Sequence, residues 1–166
     1  MPEKLNTEKG EKKDEGLYTY FLSLGSNINY PFRNLNLAQY WIEKKLGRVV
    51  KSSFLYINEA VGFETKNWFV NQNIELKSGF HPERLIIEIK WIEKEMGRVY
   101  SKQGYEDRVI DIDILICKEL SIDNENLQIP HKQLGNRPFF WLPFQDLNYE
   151  LKIDNSDRVD IKKWIY

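Results

Sequence analysis

The chain has 166 residues, 42% of them hydrophobic and 30% charged, a size and balance that suit one globular core. Its 24 basic side chains against 25 acidic ones give a formal net charge of −1, which excludes the broad basic surface of a nucleic-acid binder and leaves any phosphate chemistry to a local cluster. No apolar run approaches the ~18 residues of a membrane span, the polar N-terminus is not a secretory signal, and a cytoplasmic protein is expected.

Residues Met1 to Gly16 carry five acidic and four basic side chains and almost nothing apolar, so a disordered tail is expected there and a single domain over 17–166. Leu17 to Leu24 reads as a strand from its aromatic content and its stop at Gly25-Ser26-Asn27. Asn29 is the candidate cap of a first helix with Pro31 in its first turn. Leu35, Ala38, Trp41, Ile42 and Leu46 then recur at helical spacing, and Gly47 supplies the stop. Val49 to Ile57 is the second strand and Trp68 to Leu76 the third, separated by a polar, glycine-punctuated stretch, Asn58 to Asn67, that is expected to be a mobile loop. Pro82 opens a second helix with the apolar stripe Leu85, Ile86, Ile89, Ile92 and Met96, ended by Gly97. Arg98 to Arg108 is a second polar loop, and Val109 to Cys117 the fourth strand. The lone cysteine, Cys117, lies in this apolar run and reads as a buried thiol. The order β-α-β-β-α-β is the split pattern of ferredoxin-like α+β folds, an antiparallel sheet with helices on one face. Beyond it, Leu120 to Ile129 suits a short hairpin, and the apolar stretch Pro138 to Leu147 suits packing back on the core.

The chemistry concentrates at Val109-Ile110-Asp111-Ile112-Asp113-Ile114-Leu115-Ile116. Side chains alternate on a strand, so Ile110, Ile112, Ile114 and Ile116 are expected on one face and Asp111 and Asp113 on the other. Two strand rises put the Asp Cα atoms about 6.8 Å apart. Carboxylates that close repel unless a cation joins them, and hard cations such as Mg²⁺ take carboxylate and phosphate oxygens together. Considered alone, the pair is as well explained as the solvated face of a half-exposed strand. Arg98 and Arg108 stand at the two ends of the preceding loop, where guanidinium forks match phosphate oxygens. Carboxylate pair and arginine-ended loop form a candidate triphosphate site.

In these residues the chain resembles the 6-hydroxymethyl-7,8-dihydropterin pyrophosphokinases. Leu24-Gly25-Ser26-Asn27 is similar to the family's opening motif, and Trp68-Phe69-Val70-Asn71 to its strand carrying an aromatic and an asparagine. Gly97-Arg98-Val99 followed by Asp107-Arg108-Val109-Ile110-Asp111-Ile112-Asp113 resembles its signature, and Ile129-Pro130-His131 with Arg137 and Phe139 its third block. The likeness runs from about Tyr18 to about Leu147 with the blocks in order. It implies two Mg²⁺ ions held by Asp111 and Asp113, with ATP as co-substrate. It further implies Arg98 and Arg108 on the triphosphate, and His131, Arg137 and Glu93 on the nucleotide side, Glu93 by orienting its neighbours. Asn71 would read the pterin edge, Phe69 and Phe139 would sandwich the pterin, and Tyr105 would take the place of a tryptophan over the substrates. The chain departs from the family where Tyr100 and Gly104 replace loop arginines and Tyr105-Glu106-Asp107 replaces a Trp-Gly-Pro run. The implied reaction moves diphosphate from ATP to the pterin hydroxymethyl group in folate synthesis, in a monomer, with both polar loops closing over the substrates. A non-catalytic ferredoxin-like RNA- or ligand-binding module and a Mg²⁺ phosphohydrolase are the competing expectations.

Overall fold

The computed structural model describes residues 16–102, 104–152 and the strand 162–164, so the expected N-terminal tail lies almost wholly outside the described residues. Its elements run β1 (Tyr18–Ser26), α1 (Pro31–Lys45), β2 (Arg48–Ser52), β3 (Leu55–Asn58), β4 (Phe69–Ser78), α2 (Pro82–Glu95), β5 (Asp111–Cys117), β6 (Ile122–Asp123), β7 (Gln128–Ile129), α3 (Pro138–Trp141), a 3₁₀ turn (Leu142–Asp146) and β8 (Lys162–Trp164). β1 sits between β5 and β4, antiparallel to both, with Leu24 opposite Gln72 on one side and Ile112 on the other. The far edge of β4 pairs with β2 and β3, and β3 pairs in turn with β8. This is the ferredoxin-like α+β sheet that the element order implies, with β6 and β7 forming the expected small hairpin.

Helix α1 buries Leu35, Ala38 and Ile42, and α2 buries Leu85, Ile89 and Ile92. These side chains cover Leu22, Leu24, Ile74, Leu76, Ile112 and Ile114 from the sheet, one continuous core on one sheet face. Pro31 and Pro82 stand in the first turns, where a missing N–H leaves no helical bond unmade. Asn29 is not the cap of α1. Tyr30 holds that place at φ 65°, and the turn is tied instead by Asn34, whose amide donates to Ser26 Oγ at 3.1 Å and the Ile28 carbonyl at 2.8 Å. Gly47 ends the helix because the chain presses on β4 there: a Cβ would lie 2.1 Å from the Lys77 carbonyl oxygen.

The expected second strand is broken in two. At Ser53 the hydroxyl takes the Asn73 N–H at 3.0 Å, so a side chain interrupts the backbone ladder and β2 and β3 become separate strands on one edge of β4. Ile116 also departs from its expected face. The β1–β5 register shifts between Phe21 and Leu22, a bulge that places Leu115 and Ile116 together on the second sheet face. There they join Phe21, Leu134, Phe140, Phe144 and Leu147, so the Pro138 to Leu147 stretch packs back on the sheet as expected. Complete burial of Phe140 and Phe144 is worth ~1.5–3 kcal/mol each. Asn73 donates to the Phe140 carbonyl at 2.7 Å and the Tyr56 hydroxyl to Asp146 at 2.7 Å, which pins the segment across β3 and β4. The part of this face left uncovered is the end where β1, β4 and β5 present Gly25, Asn71 and Asp111.

Candidate active site

Strand alternation puts Ser23 and Gly25 of β1, Asn71 of β4 and Asp111 and Asp113 of β5 on the face opposite the helices, where they floor a cavity. Phe69, Phe139 and Phe140 line it, Tyr105 and Arg108 come from the 98–110 loop, and Arg137 from the turn before α3. Gly25 admits the Asn71 amide, because a Cβ there would stand 2.7 Å from Asn71 Oδ1. The Asn71 amide donates to Asn58 Oδ1, and Asn58 donates to the Glu59 carbonyl at 2.7 Å, so the rotation of the Asn71 amide is set. Phe63 meets Phe69 edge-on at 6.2 Å. The cavity therefore combines flat apolar walls with one oriented amide.

Asp111 is held by two arginines. Arg108 Nη1 donates to its Oδ2 at 2.8 Å and Arg98 Nη1 to its Oδ1. Burial works to raise the Asp111 pKa, but Arg98 and Arg108 overcome it and keep the carboxyl below its ordinary range. Asp113 has no such partner. Burial first, and then the charge on Asp111, push it up to about 7. His131 Nε2 approaches Asp113 at 3.8 Å, while its Nδ1 accepts the Gln133 N–H at 3.1 Å. Burial, Arg137 and Lys132 push His131 down to about 4, so it is neutral near pH 7 and this approach is not an ion pair.

Glu93, with no exposed surface, lies under the site rather than in it. Its Oε1 accepts Arg98 Nη1 at 2.8 Å and the Ile112 N–H at 2.7 Å, and its Oε2 accepts Lys90 at 2.8 Å and the Tyr100 hydroxyl. The Arg98 guanidinium also lies 4.6 Å from the centre of the Tyr100 ring. Burial penalises the Arg98 cation, but Asp111 and Glu93 more than offset this and raise its pKa further. Tyr100, which stands where the resemblance places an arginine, thus fixes Arg98 instead of adding a cation.

Two further hollows adjoin the cavity. Arg98, Tyr100, Tyr105 and Arg108 line one under the loop. Lys90, Asp113, Ile114, His131 and Lys132 line another, open toward the β6–β7 hairpin. Phe69, Asn71, Tyr105, Arg108, Asp111, Asp113, Arg137 and Phe139 thus share one cavity, Arg98 stands beside it, and His131 reaches it through Asp113. Tyr105 lies across the opening, its hydroxyl taking a 2.9 Å bond from Arg137 Nη2. Asn58 and Phe63 were not expected in the lining; an isolated phenylalanine in a polar loop was the available signal for Phe63. Among the described residues no group of three or more His, Cys, Asp or Glu is arranged to hold a metal. Two hard carboxylates, one of them unneutralised by any cation, suit an oxygen-seeking ion only where ligand phosphates complete its shell.

Fold and site together have the character of a small α+β transferase, with a flat-ligand cavity and a basic hollow meeting at two carboxylates. Residues 21–149 match the 7,8-dihydro-6-hydroxymethylpterin-pyrophosphokinase (HPPK) family. The chain belongs to that family. It is 34% identical over 130 residues to the 2-amino-4-hydroxy-6-hydroxymethyldihydropteridine pyrophosphokinase of Porphyromonas gingivalis, covering 76% of this chain and 88% of that one. The protein of the same name from Aquifex aeolicus is 34% identical over 133 residues, covering 78% and 79%. A crystal structure of Plasmodium falciparum HPPK-DHPS superposes with a TM-score of 0.66 at 18% identity, over 84% of this chain. The chain spans only 44% of that longer protein, and the likeness speaks for the fold.

Proposed function

We propose that this chain transfers the β,γ-diphosphate of ATP to the hydroxymethyl oxygen of 6-hydroxymethyl-7,8-dihydropterin, giving AMP and the pterin diphosphate for folate synthesis. The reading rests above all on the position of Asp111 and Asp113, at the seam between the aromatic–amide cavity and the basic hollows. The pterin ring fits between Phe69 and Phe139, and its donor–acceptor edge meets Asn71. The nucleotide lies toward His131 and Lys132, and Arg98, Arg108 and Arg137 face the phosphates.

The hydroxymethyl oxygen attacks the β-phosphorus, the bond from that phosphorus to the α–β bridging oxygen breaks, and the hydroxyl proton passes to solvent. Such a transfer asks little covalent chemistry of the protein; position and charge neutralisation supply most of the acceleration. Asp111 and Asp113 are the residues that would hold two Mg²⁺ ions, which would supply neutralisation of the charge that develops during transfer. Arg98, set by Glu93 and Tyr100, and Arg108, set by Asp111, are aimed before substrate arrives. The 59–67 and 98–110 loops exclude water that would otherwise accept the diphosphate. Nothing in this scheme calls for a second subunit, and the chain is read as a cytoplasmic monomer.

Incubation with Mg²⁺–ATP, with and without the dihydropterin, tests the proposal by chromatography of nucleotides and pterins. AMP and pterin diphosphate in equal amounts, only when the pterin is present, are expected. AMP formed without pterin points to a hydrolase, and no AMP in either case to a binding module.

A further inference from the structure

Immediately before Arg108 stands Asp107, whose carboxylate joins three segments far apart in sequence. Its Oδ1 accepts the side-chain amide of Asn27, just past β1, at 2.7 Å. Its Oδ2 accepts the side-chain amide of Asn67, at the end of the 59–67 loop, also at 2.7 Å. Asn27 completes the link by taking the Arg108 backbone N–H on its Oδ1 at 2.7 Å and giving its own backbone N–H to the Arg108 carbonyl at 3.2 Å. Asn27 is buried within the sheet end, whereas Asn67 is exposed, so the carboxylate connects a fixed point to a surface loop. Both loops flank the cavity, and they meet again where a Cβ on Gly62 would stand 3.5 Å from the Tyr105 ring.

We propose that Asp107 is a positioning residue: its carboxylate couples the 59–67 and 98–108 loops through Asn67 and Asn27, and so sets Arg108 in the site when both loops are down. An aspartate does this by accepting on both oxygens at once, which its two asparagine partners require. Loss of the Asp107–Asn67 bond leaves Arg108 attached to β1 but no longer tied to the opposite loop. Asp107 lines neither the cavity nor the hollow under the loop, so its loss acts through the placing of Arg108 and falls on turnover more than on pterin affinity. The inference rests on the proposed reaction only for its kinetic readout.

The test uses Asp107→Ala, Asn67→Asp and the double variant Asp107→Asn/Asn67→Asp in the full chain. Either single change breaks the Asp107–Asn67 bond, Asp107→Ala by removing the acceptor and Asn67→Asp by facing carboxylate against carboxylate. In the double variant the amide introduced at 107 accepts from Asn27 and donates to the carboxylate introduced at 67, so both bonds return. Each single variant is expected to lose roughly tenfold in turnover (about 1.4 kcal/mol), with pterin KM within twofold, and the double variant to recover to within threefold of wild type. Amide hydrogen exchange of the ligand-free protein is expected to rise in both loops in each single variant and to fall back in the double. Exchange that rises in one loop only, or a double variant no better than the worse single, overturns the coupling. A wild-type protein that makes no pterin diphosphate but shows the paired exchange response refutes the proposed reaction and leaves the coupling standing.

Discussion

Glu93→Gln is the most direct probe of how the site is held from below. The variant keeps the shape of Glu93 and one oxygen for Arg98 and the Ile112 N–H, which sit at 2.8 and 2.7 Å. An amide NH₂ then replaces the oxygen that faced Lys90 and Tyr100. Neither is left stranded, because the tyrosine hydroxyl turns to accept and Lys90, 44% exposed, turns to water. What is lost is the negative charge beside Arg98, whose side chain is only 12% exposed. Removing one partner of a buried ion pair costs about 3–5 kcal/mol, and because Asp111 still faces Arg98 the lower end, ~3 kcal/mol, applies here. That is a large part of the ~5–15 kcal/mol that holds a domain together, so the protein folds but melts roughly 6–12 °C lower. Thermal unfolding followed by circular dichroism, with urea unfolding to check that the slope is unchanged, measures it. A melting point within 2 °C of wild type refutes the view that Glu93 carries the charge balance under the site.

Asp113→Asn should abolish diphosphate transfer, because it removes a ligand charge, yet raise the melting temperature of the metal-free protein at pH 8. The folded-state pKa of about 7 lies above the ordinary 3.8, so ionising Asp113 costs folded-state stability as pH rises between the two values, and the gain from Asn should vanish near pH 4. Phe139→Ala and Asn71→Ala should each weaken pterin binding by roughly 1–3 kcal/mol, through lost ring burial and an unmet ligand edge, as read by fluorescence titration; variants that bind normally but unfold more easily would make these residues core alone. Arg108→Ala should cut turnover tenfold or more with a smaller loss of pterin affinity, since Arg108 bonds to Asp111 and the Glu106 carbonyl and its guanidinium, 5.6 Å from the centre of the Phe69 ring, only borders the pterin walls. Weakened pterin binding at unchanged turnover would place Arg108 on the wrong substrate.

Much of the fold was legible because its signals are periodic. The stripes of α1 and α2, the alternation at Asp111 to Ile114 and the proline starts each follow from local geometry. The misreadings share one cause, a side chain or register acting at long range. Ser53 breaks the second strand through a bond to Asn73, twenty residues away, and Ile116 changes face through a bulge that exists only against β1. Asn34 displaced Asn29 from its expected role by reaching back to Ser26. In the site, the blocks pointed to residues brought together by adjacent strands, while Phe63 and the Asn27–Asp107–Asn67 link depend on two irregular loops meeting. Nothing in a loop's own sequence encodes that meeting.

Charge conservation connects the resting site to the proposed reaction. In the ligand-free protein, Asp111 is neutralised by Arg98 and Arg108, and Glu93 meets the remaining positive charge through Arg98 and Lys90. Asp113, without a cation partner among the described residues, has its pKa pushed up by burial and by the charge on Asp111. A polyphosphate entering with its divalent ions brings charges of both signs. In the proposed reaction the two carboxylates would turn to the ions and the two guanidinium groups to phosphate oxygens, so that each buried charge would exchange one partner for another. Glu93, fully buried on α2, holds Arg98 and the Ile112 N–H from beneath the site. Tyr100 fits the same scheme: a further arginine there would add a cation to the resting site with no carboxylate left to meet it, whereas a tyrosine steadies Arg98 without adding charge.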